Sequence, residues 1–248
     1  MIREERFRKI LKVLESQGFT TAESLSKTFY ISLPTVYRDL REMEHLKLIV
    51  RSNGGAVCSP DERVTSPVDF RKSVNAREKE AIASEAAKLI PDHAVIFIDA
   101  STTAAHLVDH LSRERDLTVL TNGLLTAACL REAGIKTYCV GGSVIRNSLA
   151  VGGKIANHMV DQFEFDLVFF SAYGISENGV IIDPSESETS LRRHILKKQV
   201  TSVFLCDKSK FGKSSVFRVA PLDAIDYLIT NAEPPTNYPQ VRQRTIVI

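Results

Sequence analysis

The chain has 248 residues, 44% of them apolar and 25% charged, which is enough for a head plus a packed core domain and excludes a disordered polymer. A formal net charge of +2 excludes a polycation, so any nucleic-acid surface has to be local. The start, Met1-Ile2-Arg3-Glu4-Glu5-Arg6, is charged where a secretory signal would be apolar, and no apolar run is long enough to span a bilayer. The expected location is therefore cytoplasmic, with no membrane partner. Cys58, Cys129, Cys139 and Cys206 form no C-x-x-C pair, so they are read as small, mostly buried thiols in a reducing compartment rather than a zinc or redox site.

Residues 3–16 carry Phe7, Ile10, Leu11 and Leu14 at helical spacing, and Gly18 stops that helix. Thr21 is placed to cap a second short helix with Leu25 and Phe29 inward. Ser32 is placed to cap a third, which has Pro34 in its first turn and Val36, Leu40 and Met43 on its core face. Two apolar runs, 48–51 and 56–58, then flank Ser52-Asn53-Gly54-Gly55; Asn-Gly there predicts a hairpin, because both turn residues need positive φ. Three helices and a two-stranded wing thus fill residues 1–58. Residues 59–75 hold Pro60, Pro67 and charges without apolar periodicity, as in a linker or irregular arm. A second domain, 76–248, opens on a helix with Ile82, Ala86 and Leu89. Strands at 94–98, 117–120, 137–140, 167–171, 202–206 and 227–230 then alternate with helices near 103–112, 123–133, 154–162 and 187–199, which predicts an α/β fold with a largely parallel sheet.

In the head, Thr35, Tyr37, Arg38 and Arg41 fall off the apolar stripe of the third helix. A helix fits the major groove of duplex DNA, where Arg can donate two hydrogen bonds to guanine. Arg51, at the start of the hairpin, can reach a backbone phosphate or the minor groove. Asp39 is expected to pair with a neighbouring Arg and orient it, not to read a base. A lone basic residue on such a face usually just meets solvent; the Ser32 cap, the aromatic-arginine face and the glycine wing together favour DNA.

In a parallel sheet, ligands gather at the carboxyl ends of the strands. The segments that follow the strands are Asp99-Ala100-Ser101-Thr102-Thr103, Thr121-Asn122-Gly123, Gly141-Gly142, Ala172-Tyr173-Gly174 and Asp207-Lys208-Ser209-Lys210-Phe211. Small and hydroxyl-bearing turns at helix N-termini suit an anion such as phosphate, Lys210 adds a positive charge, and Asp99 and Asp207 suit sugar hydroxyls. One such turn is ordinarily only a turn; five on one edge form a pattern.

These residues resemble the DeoR family of bacterial regulators along nearly the whole chain. Ser32-x-x-Thr35-Val36-Tyr37-Arg38-Asp39-Leu40 resembles the family's S-x-x-T-I-R-R-D-L helix, and Arg51-Ser52-Asn53-Gly54-Gly55-Ala56 its R-x-H-G-G-A wing. Residues 99–103 resemble its D-[SA]-G-S-T loop. Thr121-Asn122, Gly141-Gly142 and Asp207-x-Ser209-Lys210-Phe211 match its T-N, G-G and D-x-S-K-F elements, and Glu188 with Arg192 resembles an E-x-x-x-K pair that closes over the ligand. The resemblance implies a winged helix-turn-helix joined to an α/β domain of the ribose-5-phosphate-isomerase-like fold. It also implies a repressor of a carbohydrate-catabolism operon that is relieved by a phosphorylated sugar. Four positions depart from the pattern: Tyr37 for Arg, Asn53 for His, Ser101 for Gly and Arg192 for Lys.

A homo-oligomer, dimer or tetramer, is expected, because one small head makes too few contacts with an operator half-site. Effector binding is expected to close the loops of Ser101–Thr103, Glu188 and Lys210 and, through the linker, to change the spacing of the heads. Two other readings remain open in the sequence: a sugar-phosphate isomerase with an accessory head, against which stands the absence of an acid from residues 170–174, and a DNA-binding protein with a purely structural second domain. No cofactor is expected. His106 and His110 stand four apart as metal ligands can, but no Cys or acid at helpful spacing completes a site, although Asp109 is adjacent; they are read as a surface pair, so no metal is expected either.

Overall fold

The computed structural model describes residues 2–46, 48–52, 54–58, 68–145, 148–198 and 200–248. The chain divides into two compact units, Met1–Val74 and Asn75–Ile248. Asn53 of the wing and residues 59–67 of the expected linker lie outside the described residues.

In the first unit, α1 (Arg3–Gln17), α2 (Ala22–Phe29) and α3 (Leu33–His45) enclose a core of Phe7, Ile10, Leu14, Leu25, Val36, Leu40 and Met43. The sheet beside them has three strands rather than two: β1 (Thr20–Thr21), β2 (Ile49–Ser52) and β3 (Gly55–Cys58), in the order β1-β3-β2 and antiparallel throughout. Two residues are too few to show alternation, so β1 leaves no periodic signal. Ser52 faces Gly55 across a two-residue turn whose Gly54 has φ +78°, as the Asn-Gly pair requires. The unit also holds α4 (Val68–Ser73), inside the stretch read as linker. Its two apolar residues do not recur at helical spacing, although Arg71 and Lys72 in its last turn suit the helix dipole.

The second unit begins with α5 (Ala76–Ala87), whose Ile82, Ala83 and Ala86 are buried. Then follow β4 (Val95–Ile98), α6 (Thr102–Ala105), β5 (Thr118–Thr121), α7 (Leu124–Glu132), β6 (Lys136–Cys139), a small hairpin of β7 (Ser143–Ile145) and β8 (Ala150–Gly152), and α8 (Lys154–Val160). The rest comprises β9 (Leu167–Phe170), β10 (Gly174–Ile175), β11 (Val180–Asp183), α9 (Glu186–Leu196), β12 (Thr201–Cys206), β13 (Phe217–Pro221), β14 (Tyr227–Thr230) and β15 (Arg244–Val247). After four residues, α6 tightens into a 3-10 turn, His106–His110, where a continuous helix is predicted.

The main sheet has seven strands in the order β15-β14-β12-β9-β4-β5-β6, and every neighbouring pair is parallel. Both faces are buried. Phe97, Val168, Phe170 and Phe204 point to one cluster; Ile96, Ile98, Phe169 and Leu205 point to the other. A strand covered on both sides carries no polar alternation, which is why the central strands read as continuous apolar runs. Beside this sheet stands a three-stranded antiparallel one, β10-β11-β13, which the sequence does not predict.

The topology places the site. From β4 the chain steps outward through β5 and β6, then returns to the other side of β4 and steps outward through β9, β12, β14 and β15. The direction of winding reverses between β4 and β9, and in open parallel sheets the crevice at the carboxyl end of such a switch point is where ligands bind.

Candidate functional site

The head presents one exposed helix face. Thr21 caps α2, its side chain accepting from Ser24 N at 3.2 Å. Ser32 occupies the N-cap of α3, but its hydroxyl lies 2.8 Å from the Thr35 hydroxyl and caps no amide. Val36, Asp39, Leu40 and Met43 are buried, while Arg38 and Arg41 are exposed. Buried Asp39 takes two hydrogen bonds from Arg6, from Nε at 2.7 Å and Nη2 at 2.9 Å. The arginine it orients is thus on α1, 33 residues away, and the pair fastens α1 to α3. Tyr37 is half-buried and packs on the head core, because its position borders the apolar stripe. Arg51 lies at 3.5 Å from Glu44 at the end of α3, an exposed pair. Tyr30, in the turn between α2 and α3, escapes the sequence reading; it adopts φ +53° and is 96% exposed.

In the second unit, the turns after β4, β5, β6, β9 and β12 leave the same edge of one parallel sheet, as expected. Their side chains divide into two kinds. At the switch point, Asp99 accepts from Ser101 N at 3.0 Å through one oxygen and from Arg192 Nε at 3.0 Å through the other. Arg192 also reaches Asp183 and Glu188, each at 2.9 Å, so one guanidinium serves three carboxylates, all buried. Burial pushes the Asp99 carboxyl above its ordinary range despite the arginine beside it. For Arg192, burial opposes the charge, but the three carboxylates outweigh it and hold the guanidinium firmly protonated. Arg192 thus holds the three carboxylates together through contacts from Nε, Nη1 and Nη2.

Beside this acidic cluster lies a basic, hydroxyl-rich one. Lys79 of α5 is buried and donates to Thr102 Oγ1 at 3.2 Å. Lys210 donates to Ser171 Oγ at 3.0 Å and to the Ala172 carbonyl. Ser101 caps α6, accepting from Ala104 N at 3.2 Å, and Thr103 Oγ1 is buried with no hydrogen-bond partner among the described residues. Asp207 accepts from Ser209 N and from Asn75 Nδ2, both at 3.0 Å. Burial raises this carboxyl, but Lys210, the Ser209 donors and Lys79 together outweigh it and hold it below the ordinary range.

The remaining expected ligands serve the backbone. Thr121 Oγ1 accepts from Gly123 N at 3.0 Å; Asn122 accepts from Ala100 N at 2.9 Å and donates to the Val151 carbonyl at 3.2 Å. Both side chains brace the turns of β4, β5 and β8. Gly141 N donates to Met159 Sδ at 3.4 Å. Gly142 has φ +138°, and a Cβ there would stand 2.5 Å from the Gly152 carbonyl, so glycine is required for close packing at that point. The Gly-Gly pair packs towards β8 and α8. Asp183 and Lys79 are the members that sequence reading missed. Asp183 comes from the unpredicted antiparallel sheet. Lys79 lies in a charged run, Arg77-Glu78-Lys79-Glu80, that reads as a solvated helix face.

A helix-turn-helix with a three-stranded wing, followed by a parallel α/β domain with a polar crevice at its switch point, defines a DNA-binding regulator with a sensor domain. Residues 6–61 match the DeoR-like helix-turn-helix domain, and residues 74–232 match the DeoR C terminal sensor domain. The chain belongs to the DeoR family of transcription regulators. It is 34% identical over 228 residues to the HTH-type transcriptional regulator GolR of Listeria innocua serovar 6a, covering 92% of this chain and 90% of that protein. It is 28% identical to the glycerol-3-phosphate regulon repressor of Escherichia coli, covering 97% and 96%. Ribose 5-phosphate isomerase A of Methanocaldococcus jannaschii overlaps 57% of this chain and 55% of its own, at 19% identity and a TM-score of 0.41.

Proposed function

We propose that this regulator represses a carbohydrate-catabolism operon and is released from DNA when a phosphorylated sugar binds at the switch point of its second unit. The observation that carries the reading is the adjacency of two unlike clusters on one sheet edge. Lys79, Lys210, Ser101, Thr102 and Thr103 offer positive charge and hydroxyls to a phosphoryl group; Asp99, Asp183, Glu188 and Asp207 offer acceptors to sugar hydroxyls. Arg192 keeps the acidic side assembled. Arg38 and Arg41 donate to base edges, Ser32 and Thr35 to the backbone, Arg51 to a flanking phosphate, and Tyr37 packs the helix that presents them. In this reading residues 1–58 form the DNA-binding domain, 59–75 the link and 76–248 the effector domain. The protein acts in the cytoplasm as a homo-oligomer, since paired heads match paired half-sites. Repression rather than activation follows the printed role of the Escherichia coli relative.

The test is release from DNA. A fluorescent duplex carrying a site selected by the full chain is titrated with sugar phosphates, and at least one is expected to dissociate the complex. Lys210→Ala is expected to bind the duplex as the parent does and to lose the response. Simultaneous loss of DNA binding and response, or release by no phosphorylated sugar, contradicts the proposal.

A further inference from the structure

His106 and His110 lack a third ligand in the sequence, and the fold brings one from 26 residues upstream. α5 packs along the 106–110 turn and lays the Glu80 carboxylate between the two rings: Glu80 Oε2 is 3.0 Å from His106 Nδ1 and Oε1 is 2.8 Å from His110 Nε2. Asp109 joins the group, so that ligand atoms of Glu80, His106 and Asp109 all lie within 4.8 Å of one another. Two donors each about 2.1 Å from a shared cation stand about 3.0 Å apart at a right angle and about 4.2 Å apart across it. The 3.0 Å between Glu80 Oε2 and His106 Nδ1 is that of adjacent positions around one ion, and Asp109 lies within 4.8 Å of both.

His106 Nδ1 is hydrogen-bonded to Glu80, but the two imidazoles are left unsatisfied at their Nε2 atoms among the described residues. His106 Nε2 and His110 Nε2 are buried atoms without a hydrogen-bond partner among the described residues; the His110–Glu80 approach is close but not aligned as a hydrogen bond. The His106 side chain is only 13% exposed, which screens it from solvent, while Asp109 is exposed and leaves an entry path. Two carboxylates with a neutral imidazole carry the charge that a divalent ion cancels, and mixed nitrogen and oxygen donors suit first-row ions.

We propose that Glu80, His106 and Asp109 bind a first-row divalent cation of the Mn2+ or Zn2+ class, with His110 steadying Glu80 from outside. The ion would join α5, which presents Lys79, to the turn that continues from Thr102. This site is separate from the sugar-phosphate reading, and its test uses no sugar.

Untagged full chain, stripped with chelator, is titrated calorimetrically with MnCl2 and with ZnCl2, and the Mn2+ form is followed by its paramagnetic resonance signal. One equivalent per chain is expected for at least one ion, with a rise in melting temperature. His110→Gln is expected to weaken binding by about tenfold, as loss of a supporting partner does. Glu80→Gln and Asp109→Asn are expected to abolish one-equivalent binding. Asp109→Asn is the decisive variant: its side chain is exposed, so the metal-free protein is expected to melt as the parent does, and a purely structural His–Glu network does not need it. Absence of saturable binding by both ions, or binding unchanged in Asp109→Asn, overturns the proposal.

Discussion

Replacing Arg192 with Met keeps most of the side-chain stem and deletes the one cation that faces Asp99, Asp183 and Glu188. All four side chains are at most 8% exposed, and each carboxylate sits 2.9 Å from the guanidinium. At an effective dielectric of about 20, one unit pair with charge centres about 4 Å apart is worth about 4 kcal/mol. The three attractions do not add, because the carboxylates repel one another and can take up protons once the arginine is gone. The expected loss is therefore that of breaking one buried pair, about 3–5 kcal/mol. For a unit of this size that is roughly 6–20 °C in melting temperature. The pH dependence fixes the cause. Burial already holds the Asp99 carboxyl above its ordinary range, and without Arg192 it rises further, so the penalty is full above that folded value and lifts as pH falls towards the ordinary carboxylate range near about 4. Urea unfolding of Arg192→Met and parent at about pH 8 and about pH 5 is expected to show a wide gap that narrows on acidification. A variant within about 1 kcal/mol of the parent, or a gap that widens with acid, refutes the hub role of Arg192.

Arg38→Ala is expected to weaken binding to a selected duplex by about 1–3 kcal/mol and to relax preference at one base position, measured by fluorescence anisotropy at fixed salt; an equal loss on all duplexes would make Arg38 a phosphate contact. Tyr30→Gly is expected to stabilise the head by about 1 kcal/mol, because the left-handed backbone there is costly for a side chain that buries almost nothing; destabilisation in thermal melts would show an unrecognised packing role. Asp207→Asn is expected to remove stability that the parent keeps above its unfolded value of about 3.9 and loses as pH falls through the depressed folded value. A parent–variant difference that stays constant down to about pH 2 would contradict the depressed carboxyl.

The helix-turn-helix and the parallel sheet were readable because their signals are local. Ser32, Pro34, Val36, Leu40 and Met43 mark one helix within a dozen residues, and Leu167–Phe170 is an uninterrupted apolar run because both its faces are covered. What escaped depends on distant partners. β15 alternates weakly at a sheet edge, and β10, β11 and β13 pair residues near 174, 181 and 220. Asp183 rides on that small sheet, so its place beside Arg192 has no sequence signature. The bracing bonds of Thr121 and Asn122 escaped for a related reason: a Thr-Asn turn has no sequence signature for its partners Ala100 and Val151. Lys79 and Glu80 are adjacent charges on one helix whose partners, Thr102 and the 106–110 turn, lie more than 20 residues further on.

The most direct test compares one sugar in two forms. Full chain is titrated calorimetrically with a phosphorylated sugar that releases it from DNA, and with the same sugar lacking the phosphoryl group. The phosphorylated form is expected to bind with a single saturating transition that Lys79→Met and Lys210→Ala each abolish, and the bare sugar is expected to give no measurable heat. Equal binding of both forms, or full binding by both lysine variants, would remove the anion cradle from the account.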